Sequence, residues 1–267
     1  AQCLVGSEMC IRDRHNNPGS DACCCFDASM YTGTPDSTPC AVNLDIKTII
    51  AGLDKLLYAS DLTEAEKYLD RWCSRAAEVG DWRTELTLQS ELMGFHRRTS
   101  GKAAAMAAVE RGLELIREHR LGSTVSGATI ILNAATTLKA YGMAVQSIPM
   151  FVQACRVYSQ TLDPLDYRFG GLYNNMALSY ADIGEYDTAE GYYKKALGVI
   201  AHCDTPENEL AVTYCNLAEL YERMGREADI AKALKLAQDN LHSPTLPHDG
   251  YYDFTVSKCL PTFEHFG

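Results

Sequence analysis

The sequence contains nothing approaching eighteen consecutive apolar residues, the least that spans a bilayer core as a helix. It also lacks a charged start followed by an apolar stretch and a small-residue cleavage site. No membrane partner and no recognisable leader are expected. Basic residues are scarce: 24 Lys and Arg stand against 35 Asp and Glu, a formal net charge of −11. A phosphate-binding surface needs clustered Lys and Arg, so direct binding of nucleic acid is not expected either. Catalytic signatures are missing too. There is no H-E-x-x-H, no G-x-G-x-x-G after a strand and no G-x-S-x-G elbow. Gly101-Lys102 has His96 and Ala103 where a phosphate loop needs glycine and a hydroxyl residue. The seven histidines show no metal-ligand spacing. The expectation is a non-catalytic protein without cofactor or metal.

The cysteines present are uneven. Of eleven, Cys3, Cys10, Cys23, Cys24, Cys25 and Cys40 crowd the first forty residues, without the paired C-x-x-C spacing that zinc favours. Cys73, Cys155, Cys203, Cys215 and Cys259 are scattered through apolar periodic segments, as buried small hydrophobes in a reducing, cytoplasmic setting are. Residues Leu4 to Asp13 have neither helical nor strand periodicity. They resemble the conceptual translation of a transposon-type sequencing adapter, which implies that residues 1–14 are not native and that the authentic start is lost. Residues 15–40 are rich in Asn, Pro, Gly, Ser, Asp and Thr and have too little apolar surface to fold alone. The expected division is a disordered or artefactual segment over 1–42 and a folded domain over 43–267.

That domain repeats. In Leu172-Tyr-Asn-Asn-Met-Ala-Leu-Ser-Tyr180, apolar or small residues at 173, 176, 177 and 180 share one helical face. Gly184 ends that helix, and Ala189, Tyr193, Ala196 and Leu197 share one face of the next. The same template recurs at Tyr214, Leu217, Ala218, Tyr221, Gly225, Leu234 and Ala237, and upstream at Ile131, Ala134, Ala135, Leu138, Gly142, Phe151 and Ala154. Fainter copies begin at Ile49 and Gln89, and a half copy at Val256. Local signals match these boundaries: Asp163-Pro164 and Thr205-Pro206 have the form of a cap before a first-turn proline. Asp61 with Glu64 has the form of a capping box. Pro149, inside a second helix, is expected to kink or delay it.

This pattern resembles a tetratricopeptide-repeat array, whose usual period is about 34 residues. The longer step here, about 41 residues, resembles the kinesin-light-chain-like subclass. The resemblance implies an all-α, right-handed superhelix of about five helical hairpins plus a half repeat, with units starting near 46, 86, 128, 170, 211 and 253. Each hairpin buries its apolar face against its neighbours. The half repeat presents Val256, Leu260 and Phe263 without a second helix, so self-association through it is expected. Both ends are expected to be truncated.

The resemblance also places the first helix of each hairpin on a concave groove. Asn133, Asn175 and Asn216 stand two residues beyond the first position of the three best units, where peptide-binding members of the family carry Asn. An amide with two donors and an acceptor can bond successive peptide groups of an extended ligand. It can equally bond the neighbouring repeat and only order the stack. By the same register Asn174, Arg97, Arg98, Lys139, Asp182, Glu219 and Arg223 are groove neighbours. Two functions remain open. One is a scaffold that binds a protein or extended peptide. The other is the sensor module of a larger peptide-responsive transcriptional regulator whose DNA-binding domain lies outside this chain.

Overall fold

The computed structural model describes residues 43–99 and 101–267. The segment 1–42, on which the adapter resemblance and the expectation of disorder fall, lies outside the described residues. Within them the chain is all-α, with no strand. Its helices are α1 (Ile46–Tyr58), α2 (Leu62–Val79), α3 (Trp82–Thr99), α4 (Lys102–Glu118), α5 (Val125–Ala140), α6 (Ala144–Thr161), α7 (Arg168–Asp182), α8 (Tyr186–Ile200), α9 (Glu207–Arg223), α10 (Glu227–Leu241) and α11 (Gly250–Phe266). None of these helices is long and apolar enough to cross a membrane. The chain divides between Thr137 and Leu138, inside α5, into two compact units.

In the unit ending at Thr137, aspartates start the first three helices. Asp45 accepts from the Thr48 amide at 3.2 Å, and Asp61 from the Glu64 amide at 3.1 Å, each satisfying an orphan first-turn donor. Buried Asp81 accepts from the Thr84 amide at 3.2 Å and from the Leu44 amide at 2.8 Å. It thereby caps α3 and ties down the chain before α1. Leu53 and Leu69 lock α1 to α2 and are at most 1% exposed. Helix α3 is buried over most of its length, and its Glu85 carboxylate is met by both arms of Arg111 from α4, at 2.7 and 3.2 Å. His119, just past α4, stacks on Trp82 with ring centroids 4.0 Å apart. Burial holds its pKa below the usual histidine value. His96, which stands on an apolar stripe of α3, is buried, edge-on to Phe95 and 3.9 Å from Glu66.

The unit from Leu138 is built on small residues at helix crossings. Ala177 of α7 and Ala189 and Ala196 of α8 are fully buried, so the two helices close tightly around Tyr193. Ala218, Ala233 and Ala237 do the same for α9 and α10. Three hairpin turns and the link from α2 to α3 share one device. Gly80, Gly142, Gly184 and Gly225 all have positive φ, and the amide after each bonds back across the turn: Asp81 to Ala76, Met143 to Leu138, Glu185 to Tyr180, Arg226 to Tyr221, at 2.9–3.0 Å. These are Schellman closures, which need a left-handed residue that glycine supplies without strain. The α1–α2 turn closes identically, Asp61 to Leu56 at 3.0 Å, with Ser60 at φ 56° in the glycine place.

Three local expectations differ from the structure. Asp163-Pro164 does not start α7: the Asp163 carboxylate takes the Leu165 amide at 2.8 Å in a turn of its own. Tyr167 stands at the cap position of α7 without a side-chain cap, and Asp166 before it accepts from the Arg168 amide at 3.0 Å. At α9 Pro206 is the residue immediately before the helix, and its carbonyl takes the Leu210 amide at 2.9 Å. Pro149 does not delay α6, which starts at Ala144 and runs through it. The carbonyl that loses its partner belongs to Val145, 69% exposed, where water can take over the bond.

Candidate functional site

The candidate residues lie on α3, α5, α7 and α9, first helices of their hairpins, and each unit holds its share. In the unit ending at Thr137, the Arg97 guanidinium on α3 donates to Thr137 Oγ1 at 2.8 Å and to the Asn133 carbonyl at 3.4 Å on α5. Arg98 beside it is exposed. Asn133 is 1% exposed, and its Nδ2 donates to Ser90 Oγ at 2.6 Å, one repeat back. Its Oδ1 has no partner among the described residues.

In the unit from Leu138, three charges from successive first helices are brought together. Lys139 Nζ lies 3.7 Å from Asp182 Oδ2, and Arg223 lies 3.7 Å from Asp182 Oδ1. Arg223 also donates to the Ala181 carbonyl at 3.4 Å. The three side chains are 11%, 34% and 46% exposed in that order. At 3.7 Å these are ion pairs beyond hydrogen-bond length, so donors and acceptors along the row remain open to another group.

The asparagines of this unit are buried. Asn174 Nδ2 donates to Thr213 Oγ1 at 2.8 Å, one repeat on, and Thr213 in turn donates to the Glu209 carbonyl at 2.7 Å. Asn175 Nδ2 turns to the Gly171 carbonyl of its own helix at 3.1 Å. Asn216 is 2% exposed, and neither Oδ1 nor Nδ2 has a partner among the described residues. Glu219 accepts from Thr262 Oγ1 at 2.8 Å.

That last bond belongs to a row along α9 and α11 that sequence patterning did not single out. Tyr251 OH donates to Glu209 Oε1 at 3.0 Å, and His265 Nε2 meets Glu222 Oε1 at 2.8 Å. Between them Cys215 meets Cys259; the neighbouring thiol, and then burial, push the Cys215 thiol far above its ordinary value. The hydroxyl partners Ser90, Thr137, Thr213 and Thr262 were also missed; only Thr137 and Thr262 share an offset, six residues past a repeat's first position. In Tyr192-Tyr193-Lys194-Lys195, Tyr193 is packed at 1% exposure and Lys194 pairs with Glu190 at 2.9 Å. Lys195 Nζ lies 4.9 Å from the Tyr192 ring centroid and 5.8 Å from that of Tyr173. Among the described residues no group of His, Cys, Asp and Glu is arranged to hold a metal ion.

A tetratricopeptide-repeat family model matches residues 169–241. No curated protein matches the chain. Among solved structures, BtubC (BKLC) from P. vanneervenii superposes with a TM-score of 0.65 at 20% identity, over 77% of this chain and 83% of that one. A Podosopora anserina chain of "kinesin light chain nearly identical TPR-like repeats" superposes with a TM-score of 0.61 at 14% identity, over 76% of this chain and 97% of that one. A variant of the latter gives 0.62 at 14% identity, over 73% and 93%.

Proposed function

Residues 169–241 are tetratricopeptide repeats, and from that premise we propose that the protein is a non-catalytic scaffold that binds a protein partner through an extended peptide laid along its first helices. The observation that carries the reading is the Lys139–Asp182–Arg223 row. Three repeats each contribute one charge, and at 3.7 Å the charges attract without using up their hydrogen-bonding capacity. A peptide crossing the row meets a cation, an anion and a cation in order, which fixes its register more than its raw affinity. The unpartnered Asn216 amide supports the same reading. A buried amide without a partner costs about 1–3 kcal/mol, which a ligand's peptide group would recover. At 2% exposure it engages only after neighbouring side chains move, as interface rotamers commonly do.

The test is selection from a random peptide library on the full chain, followed by affinity measurement on Arg223→Ala, Asp182→Ala and Asn216→Ala. Recovered peptides should lose about fivefold to tenfold in affinity on Arg223→Ala, the equivalent of one charge-assisted bond. Failure to recover any peptide, or recovered peptides indifferent to all three substitutions, overturns the proposal.

A further inference from the structure

The row of contacts between α9 and α11 determines what the two central thiols can do. The bonded pairs are Glu209 with Tyr251, Glu219 with Thr262 and Glu222 with His265. Both partners advance together along the chain, so the helices run parallel. Their Cα atoms come within 8 Å of one another. Cys215 lies six residues past Glu209, and Cys259 eight past Tyr251. At a rise of about 1.5 Å per residue the two positions differ by only about 3 Å along the axes. The bonds on either side hold that alignment. Cys215 is 1% exposed and Cys259 is fully buried, both in the same core cluster. Each is a reduced thiol, and Cys259 is the leading cause that raises the Cys215 pKa. Of the described cysteines, these two are the ones in that cluster.

We propose that Cys215 and Cys259 are a reversible dithiol–disulfide couple that, when oxidised, locks α11 onto α9. A disulfide needs Cα atoms about 4.4–6.8 Å apart, and residues as small as cysteine let two helices approach that closely. The oxidant is a low-molecular-weight disulfide such as oxidised glutathione. One cysteine, as thiolate, attacks it, forms a mixed disulfide and releases one glutathione thiolate, which takes up the proton the cysteine lost. The second cysteine then attacks the protein sulfur of that mixed disulfide and releases the second glutathione. Two protein thiols are oxidised, one small disulfide is reduced to two thiols, and both protons are accounted for. Burial makes the exchange slow: the small disulfide reaches the pair only while the helices are transiently apart. Once formed, the bond resists reduction for the same reason.

The experiment equilibrates the full chain at stepped ratios of reduced to oxidised glutathione and caps free thiols under denaturing conditions. The unreduced digest is then mapped by mass spectrometry, with thermal melts in parallel. A Cys215–Cys259 linked peptide is expected at oxidising ratios, with a Tm higher by about 5 °C that dithiothreitol reverses. Cys259→Ser should lose both link and shift. Should that variant fail to fold, as judged by its helical circular dichroism, Cys215→Ala takes its place and the wild-type map decides. Three outcomes overturn the proposal: both cysteines capped as free thiols at the most oxidising ratio in folded protein, either one linked instead to another cysteine, or a Tm shift that survives in the variants.

Discussion

Asn133 and Asn216 hold the same place in their repeats, two residues past the first position, and they are in opposite circumstances. The Asn133 amide spends a donor on Ser90, whereas the Asn216 amide has lost water and gained no partner. Asn133→Ala should therefore cost about 1–2 kcal/mol in urea unfolding, since it removes a bond and strands a buried hydroxyl. Asn216→Ala should leave stability unchanged or raise it by up to about 1 kcal/mol, because the orphaned amide disappears. Equal losses at both sites would show that Asn216 is as structural as Asn133. His119 offers a pH test of the same kind. Its folded pKa lies below the ordinary value of 6.5 because burial on Trp82 disfavours the imidazolium. The folded state therefore binds fewer protons, and the stability this group contributes is complete above 6.5 and lost as pH falls toward the lowered value. His119→Phe keeps a ring against Trp82 and should flatten that acid loss. The comparison to make is the two proteins' Tm between pH 7 and pH 5.

At the scale of the element, the turns are the most regular feature. Four Schellman closures use glycine, and the fifth forces Ser60 to φ 56°. A side chain in the left-handed region costs about 1–2 kcal/mol, and glycine gives back part of that gain as unfolded-state entropy. Ser60→Gly should thus stabilise by about 0.5–1 kcal/mol in chemical denaturation, and a destabilised variant would mean that the hydroxyl makes up for the strain. The turn glycines and the apolar stripes were legible in the sequence because one residue type or one period dictates the backbone there. Helix starts were less so. Asp163 is a competent cap, but a local turn spends its carboxylate on the Leu165 amide, and α7 starts five residues later at Arg168. The candidate site was legible only as a register. That Asn133 finds Ser90, or that Lys139 and Arg223 share Asp182, depends on what faces them one repeat away, and no single repeat encodes it.

At the scale of the whole molecule, the half repeat is less bare than its sequence implies. Val256 and Phe263 pack partly against the core, while Leu260 stays 48% exposed. Any self-association through α11 therefore turns on Leu260. Sizing at rising concentration should show larger species that Leu260→Asp abolishes, and a monomer throughout would exclude that contact. The cross-repeat hydrogen bonds have a kinetic consequence. Those from Arg97, Asn133, Asn174, Tyr251, Thr262 and His265 each join residues only 36–43 positions apart. Loop-closure entropy grows with the logarithm of that separation, so each bond carries nearly the same ordering cost. None of them needs distant stretches of chain to meet before it can form. Folding within a unit can begin at whichever hairpin closes first and spread to its neighbours one repeat at a time, as in a chain of coupled spins.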